Sequence, residues 1–119
     1  MKSVGDYYED QAASLITGAG LLLLERNFRR KTGEIDLIVQ DGAHLVFVEV
    51  RARSNRRFDS AAGSVNTRKQ QRIVRTAQLF LQHRPNLINM PCRFDVIAFE
   101  PPQSGTSTRI RWIRGAFTA

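Results

Sequence analysis

The stretch GEIDLIVQDGAHLVFVEVRAR, from Gly33 to Arg53, constrains this chain more than any other. It predicts two short strands folded back on each other through Asp41-Gly42. Asp-Gly between alternating apolar positions is a strong hairpin signal, because a type I′ turn needs positive φ at both central residues. Pairing outward from Gln40 opposite Ala43 sets Leu37 against Val46, Asp36 against Phe47 and Glu34 against Glu49. Side chains alternate between the two faces of a strand. One face then carries Ile35, Leu37, Val39, Val46, Val48 and Val50 and belongs in a core. The other carries Glu34, Asp36, Ile38, Leu45, Phe47, Glu49 and Arg51, so three carboxylates and a guanidinium sit among apolar residues.

In this register Glu34 and Glu49 are cross-strand neighbours, about 5 Å apart at Cβ, with Asp36 on the diagonal at roughly 7 Å. Like charges that close on a half-buried sheet repel unless a cation lies between them. A divalent metal with oxygen ligands meets that need, and so does Arg51. The plain alternative is a pair of solvated strands whose acids pair with nearby arginines. Two details favour a site: the acids lie inside apolar runs, and Glu49 and Arg51 share a face. Register decides the matter, since a one-residue slip would put Asp36 and Glu49 on opposite faces.

With 119 residues the chain is expected to form a single domain, residues 1–119, large enough for one core. Its longest purely apolar run, Gly18 to Leu24, is too short to span a bilayer. No charged start followed by an apolar segment marks a signal peptide, and the lone Cys92 fits a reducing cytosol, so a cytoplasmic protein with no membrane partner is expected. His44 and His83 stand too far apart for a zinc cluster of ordinary spacing. The formal net charge of +7, carried by fifteen arginines and three lysines, points to a polyanionic partner. Arginine suits bidentate phosphate contact.

Residues from Gly5 to Ile16 read as an amphipathic helix with Tyr8, Ala12, Leu15 and Ile16 on one stripe, ended by Gly18 and Gly20. Glu9 lies beside that stripe and either points to the sheet or favours the helix dipole. A strand over Leu21–Arg29 follows, and Arg26, Arg29, Arg30 and Lys31 form a basic approach to the hairpin. Residues 52–65 read as an arginine-rich loop carrying Arg53, Arg56 and Arg57. Asn66 or Thr67 caps a second helix running to about His83, stopped by Pro85. It buries Ile73, Ala77, Phe80 and Leu81; Arg68, Arg72 and Arg75, with Lys69 beside them, form a basic stripe that is either solvated or set on phosphate. Two more strands, Arg93–Phe99 and Arg109–Arg114, close the order α-β-β-β-α-β-β, an α/β or α+β domain with a mixed sheet.

Asp36 followed by Glu49-Val50-Arg51 resembles the core of the PD-(D/E)XK nuclease superfamily. The chain is similar, more closely, to the YraN-type family of small bacterial proteins related to archaeal Holliday-junction resolvases. The likeness covers nearly the whole chain: Glu9-x-x-Ala12, Gly33-Glu34-Ile35-Asp36-Leu37-Ile38, Val46-Phe47-Val48-Glu49-Val50-Arg51-x-Arg53, Lys69, Cys92-Arg93-Phe94-Asp95 and Ala116-Phe117. It implies a restriction-endonuclease-like mixed sheet flanked by helices. It also implies Mg²⁺ or Mn²⁺ held by Asp36 and Glu49, with Glu9 and the main chain of Val50 assisting, and hydrolysis of DNA phosphodiesters, branched DNA among the substrates. Asp36, Glu49 and Arg51 are then the catalytic set. Arg30, Lys31, Arg53, Arg56, Arg57, Arg68, Lys69 and Arg72 would hold the nucleic-acid backbone. Arg51 departs from the usual lysine; arginine is not deprotonated in proteins, but it can clamp a phosphate and stabilise charge. Tyr8 stands where the first-helix pattern has glycine. Resolution of a four-way junction would call for a homodimer, since the junction offers two symmetric cleavage points. The competing expectations are a nucleic-acid-binding module of the same fold with little or no catalysis, and a structural protein whose carboxylates pair with arginines.

Overall fold

A computed structural model describes residues 3–52, 65–100 and 107–119. The elements follow the expected order: α1 (Val4–Gly18), β1 (Leu22–Arg30), β2 (Gly33–Asp41), β3 (His44–Ala52), α2 (Thr67–Gln82), β4 (Cys92–Glu100) and β5 (Arg109–Phe117). The five strands form one sheet in chain order, antiparallel throughout except where β3 lies beside β4. A parallel neighbour needs a crossover, and α2 supplies it. The helices start where local chemistry permits. Ser3 and Asp6 form a capping box on α1, and the Asn66 side chain accepts from the Lys69 N–H at 3.0 Å on α2. Of the nucleic-acid-binding candidates, Arg53, Arg56 and Arg57 lie outside the described residues.

Both faces of the sheet are covered. Ile73, Ala77 and Phe80 of α2 pack on Ile38, Leu45, Phe47, Phe94 and Val96. Ala12 and Ile16 of α1 pack on Leu37, Val39, Val46, Val48, Ile97 and Phe99. The supposed half-polar face of the hairpin is thus a second core: Ile38, Leu45 and Phe47 are buried beneath α2. Glu34, Asp36 and Glu49 lie towards the end of the hairpin farthest from its turn.

That turn is Gly42-Ala43, with Asp41 paired to His44, and not Asp41-Gly42. Gly42 has φ 58° while Ala43 keeps a negative-φ backbone, the pattern of a II′ turn led by glycine. Every partner therefore moves by two, so that Leu37 faces Val48 where the sequence predicted Val46. A shift of two preserves the faces, but the alternation itself then breaks. Ile35 joins Phe28 and Phe47 beneath α2, while Leu37 lies under α1, so Ile35 is not on the face predicted for it. β1 breaks in step: Arg26 reaches Glu9 and Asp10 of α1, whereas Phe28 stacks edge-on with Phe80 of α2.

Asp95, wholly buried in β4, is the main polar anchor of the core. It accepts from Arg93 Nε at 2.9 Å and Nη2 at 3.0 Å, from Trp112 Nε1 at 3.0 Å and from the Gly115 N–H at 3.0 Å. Arg93 also holds Asp41 at 3.1 Å, so one pair ties the hairpin tip to β4 and to the bend of β5 at Gly115. The Cys92-Arg93-Phe94-Asp95 motif is accounted for by this architecture. Removing one member of such a pair strands the other. Asp95→Ala is expected to lower unfolding free energy by about 3 kcal/mol in chemical denaturation; a loss below about 1 kcal/mol would contradict the anchor.

Candidate metal centre

Pairing between β2 and β3 stops at Leu37↔Val48, and one further step of the register puts Asp36 across from Glu49. The Val50 N–H, which a continuing ladder would give to the main chain, donates instead to Asp36 Oδ2 at 2.7 Å. The Asp36 and Glu49 carboxyls are near enough for each to shift the protonation of the other. The slip at Asp36 turns Glu34 and Asp36 towards α1, where Glu9 comes down one turn after the capping box. Oxygens of Glu9, Glu34 and Asp36 lie within 4.8 Å of one another. Four acids thus converge on a cleft of about 440 Å³ between the first turns of α1 and the ends of β2 and β3.

The sequence-based pairing of Glu34 with Glu49 is corrected by this register. Asp36 is the neighbour of Glu49, and Glu34 belongs with Glu9. Glu34 had a sequence signal, its place among the hairpin acids, but only the broken alternation shows that it meets α1. Arg51 stands 3.9 Å from Glu49, Arg26 3.8 Å from Glu9, and Arg29 3.1 Å from Glu34. Val50 lines the cleft and gives its N–H to Asp36. The positive charge of Lys69, in the first turn of α2, is felt at Glu49.

The basic candidates divide. Arg72 Nε donates to Thr32 O at 3.2 Å, which joins α2 to the β1–β2 turn carrying Arg30 and Lys31. Gly33 follows that contact with φ 149°, a backbone that side chains rarely adopt. The Arg30 guanidinium lies over the Phe28 ring at 4.2 Å. Lys31, Arg68 and Arg72 are exposed beside it.

Crowding and burial govern the protonation of the acids. Burial, then the charge of Asp36 and its hydrogen bond, push the Glu49 carboxyl up to about 9, against the pull of Arg51 and Lys69. Asp36 is raised too, by burial first, although Glu49 and the Val50 N–H hydrogen-bond its charged form. Glu9 is raised by burial and then by Asp36, opposed by the Asn27 amide and by Arg26. Glu9 Oε1 is buried with no hydrogen-bond partner among the described residues. A buried, unsatisfied carboxylate oxygen amid three further acids fits a hard divalent cation, and a donor set of oxygens alone fits Mg²⁺ or Mn²⁺ better than zinc.

A mixed sheet between two helices, gathering four carboxylates where a hairpin opens, defines an α+β protein with a candidate divalent-metal centre. The chain belongs to the YraN-type family, the uncharacterised protein family UPF0102, whose model matches residues 8–99. It is similar to a UPF0102 protein of Janthinobacterium sp. (strain Marseille), 49% identical over 115 residues, covering 97% of this chain and 87% of the relative. A UPF0102 protein of Hahella chejuensis is 48% identical over 115 residues, covering 97% and 90% of the two chains. One of Saccharophagus degradans is 48% identical over 114 residues, covering 96% and 92%.

The raised carboxyls make stability depend on pH. An acid at about 9 in the folded chain and near 4.5 when unfolded keeps its proton on folding, so the folded state binds more protons between those limits. Stability therefore falls as pH rises from about 4.5 to about 9, with Asp36 and Glu9 acting in the same direction. In metal-free buffer the melting temperature is expected to decline across that window. Glu49→Gln is expected to raise it at pH 8 and to flatten the slope; a lower melting temperature with the slope unchanged would contradict this assignment.

Proposed function

We propose that this protein is a Mg²⁺- or Mn²⁺-dependent endonuclease that hydrolyses DNA phosphodiesters, branched DNA among its substrates, in the cytoplasm. The observation that carries the reading is the convergence of Glu9, Glu34 and Asp36, with Glu49 lining the same cleft, in a chain of net charge +7. The likeness to the PD-(D/E)XK superfamily supports it. Asp36 and Glu49 would hold the cation, with Glu9 and Glu34 completing the oxygen set. The cation supplies Lewis-acid polarisation of the phosphoryl oxygen and neutralises developing charge.

The chain's own groups do the rest. The Val50 N–H fixes one oxygen of Asp36, which lines the cleft. Arg51, two residues beyond Glu49 on the cleft wall, offers a permanent charge to a phosphate and cannot serve as a base. Lys69 brings an ammonium towards Glu49 from α2. Arg30 and Lys31 at the β1–β2 turn and the exposed Arg68 and Arg72 of α2, which is joined to that turn through Thr32, would hold the phosphate backbone, so binding would weaken steeply with salt. Action on a two-fold symmetric junction would require a homodimer.

A second reading, a nucleic-acid-binding module of the same fold, is favoured by Arg51 at the position where lysine is usual. One gel separates the two: protein and Glu49→Ala on labelled duplex, flap and four-way-junction DNA, with Mg²⁺, Mn²⁺ or EDTA. Metal-dependent cleavage that Glu49→Ala reduces by about a hundredfold or more is expected. Salt-sensitive binding without cleavage, unchanged in the variant, would leave the binding module.

A further inference from the structure

One residue beside the site is out of keeping with its strand. Asn27 lies in the middle of β1 with φ 56°, the sole positive-φ residue other than glycine among the described residues. Such a backbone is disfavoured for any side chain, least so for asparagine, and it has no place in a regular ladder. The neighbouring pairs Arg26↔Leu37 and Phe28↔Ile35 put Asn27 directly across from Asp36. This is the rung at which both strands lose their alternation. Arg26 is on the α1 face and Phe28 on the α2 face, and Leu37 and Ile35 divide in the same way.

The two slips are matched, which keeps Phe28 opposite Ile35 in the core while Asp36 and Glu34 turn towards α1. Without the left-handed residue, β1 would carry Phe28 to the α1 face or lose its pairing with β2. Asn27 also lines the adjoining cleft with Glu9, Glu34 and Asp36, at its open lip. Its amide shares that lining with the Glu9 carboxyl and favours the charged form of it.

We propose that Asn27 is the positioning residue of the carboxylate centre, its left-handed backbone setting the paired slip that aims Asp36 and its amide holding Glu9 towards the same point. This rests on the metal reading above. Partners that orient a ligand without touching the metal commonly change affinity by about 10–100-fold when removed. Asparagine combines the two properties required here, tolerance of left-handed φ and a side-chain N–H donor; glycine has the first alone, and alanine neither.

The test is Mn²⁺ binding to the full-length protein, measured by calorimetry, with the melting temperature of each variant recorded alongside. Asn27→Gly keeps the backbone and loses the amide, and is expected to weaken Mn²⁺ about tenfold at a nearly unchanged melting temperature. Asn27→Ala is expected to weaken it further. Asp36→Asn reports on the centre itself. Asn27→Gly binding as tightly as the wild type, while Asp36→Asn binds none, overturns the proposal whatever Asn27→Ala does, including failing to fold. A wild type that binds no Mn²⁺ sinks the metal reading and this proposal with it.

Discussion

The hydrogen bond from the Val50 N–H to Asp36 Oδ2 is where the fold and the candidate site meet. A hairpin between two helices would ordinarily continue its ladder until the strands end. Here the ladder stops at Leu37↔Val48, and a carboxylate takes the place of a main-chain acceptor. That exchange commits Asp36 to the interior and brings it against Glu49. It also requires β2 to turn over, which sends Glu34 towards Glu9 on α1 and Ile35 towards the core beneath α2. The crowded acids and the split cores meet at this one exchange of a side chain for a carbonyl, and β1 carries the matching irregularity at Asn27.

Such a centre works against the stability of the sheet that holds it. Carboxyls at Glu49, Asp36 and Glu9 are desolvated, and the guanidiniums of Arg51 and Arg26 approach only to 3.9 and 3.8 Å. The remainder of the molecule must offset that cost. It does so with two apolar clusters on opposite faces of one sheet and with the fully satisfied Asp95, which ties three strands through Arg93, Trp112 and Gly115. Polar groups are thus treated in two ways within a short distance. Asp95 is buried with every oxygen hydrogen-bonded, whereas the buried Glu9 Oε1 accepts no hydrogen bond and has the Arg26 guanidinium only at 3.8 Å.

Much of this was legible in the sequence. The order of elements followed from apolar periodicity, from Asn66 as a cap and from the glycine turn, because these are local signals. Asp36 and Glu49 could be singled out because acids inside apolar runs are costly without a purpose, whereas Glu9 was named as a ligand only through the family resemblance. The register was misread for a specific reason: Asp41-Gly42 and Gly42-Ala43 are both sound two-residue turns, and local chemistry does not choose between them. The pairing of Asp41 with Arg93, a contact across 52 residues, is part of what does. The slip at Asp36 was illegible because it depends on Asn27 in a neighbouring strand, and so the position of Glu34 was illegible too. The covering of Ile38 and Phe47 by α2 likewise needed the crossover to be in place.

The most direct measurement of the central claim, that these acids are gathered for a divalent cation, is thermal unfolding at pH 8 with and without Mn²⁺. A ligand that binds only the folded chain stabilises it in proportion to the logarithm of its concentration. Wild-type protein is expected to melt progressively higher as Mn²⁺ is raised, reversibly with EDTA, while an Asp36→Asn, Glu49→Gln double variant melts at one temperature regardless of the metal. An equal rise in both proteins, or none in either, would contradict the account and leave the carboxylates as partners of the surrounding arginines.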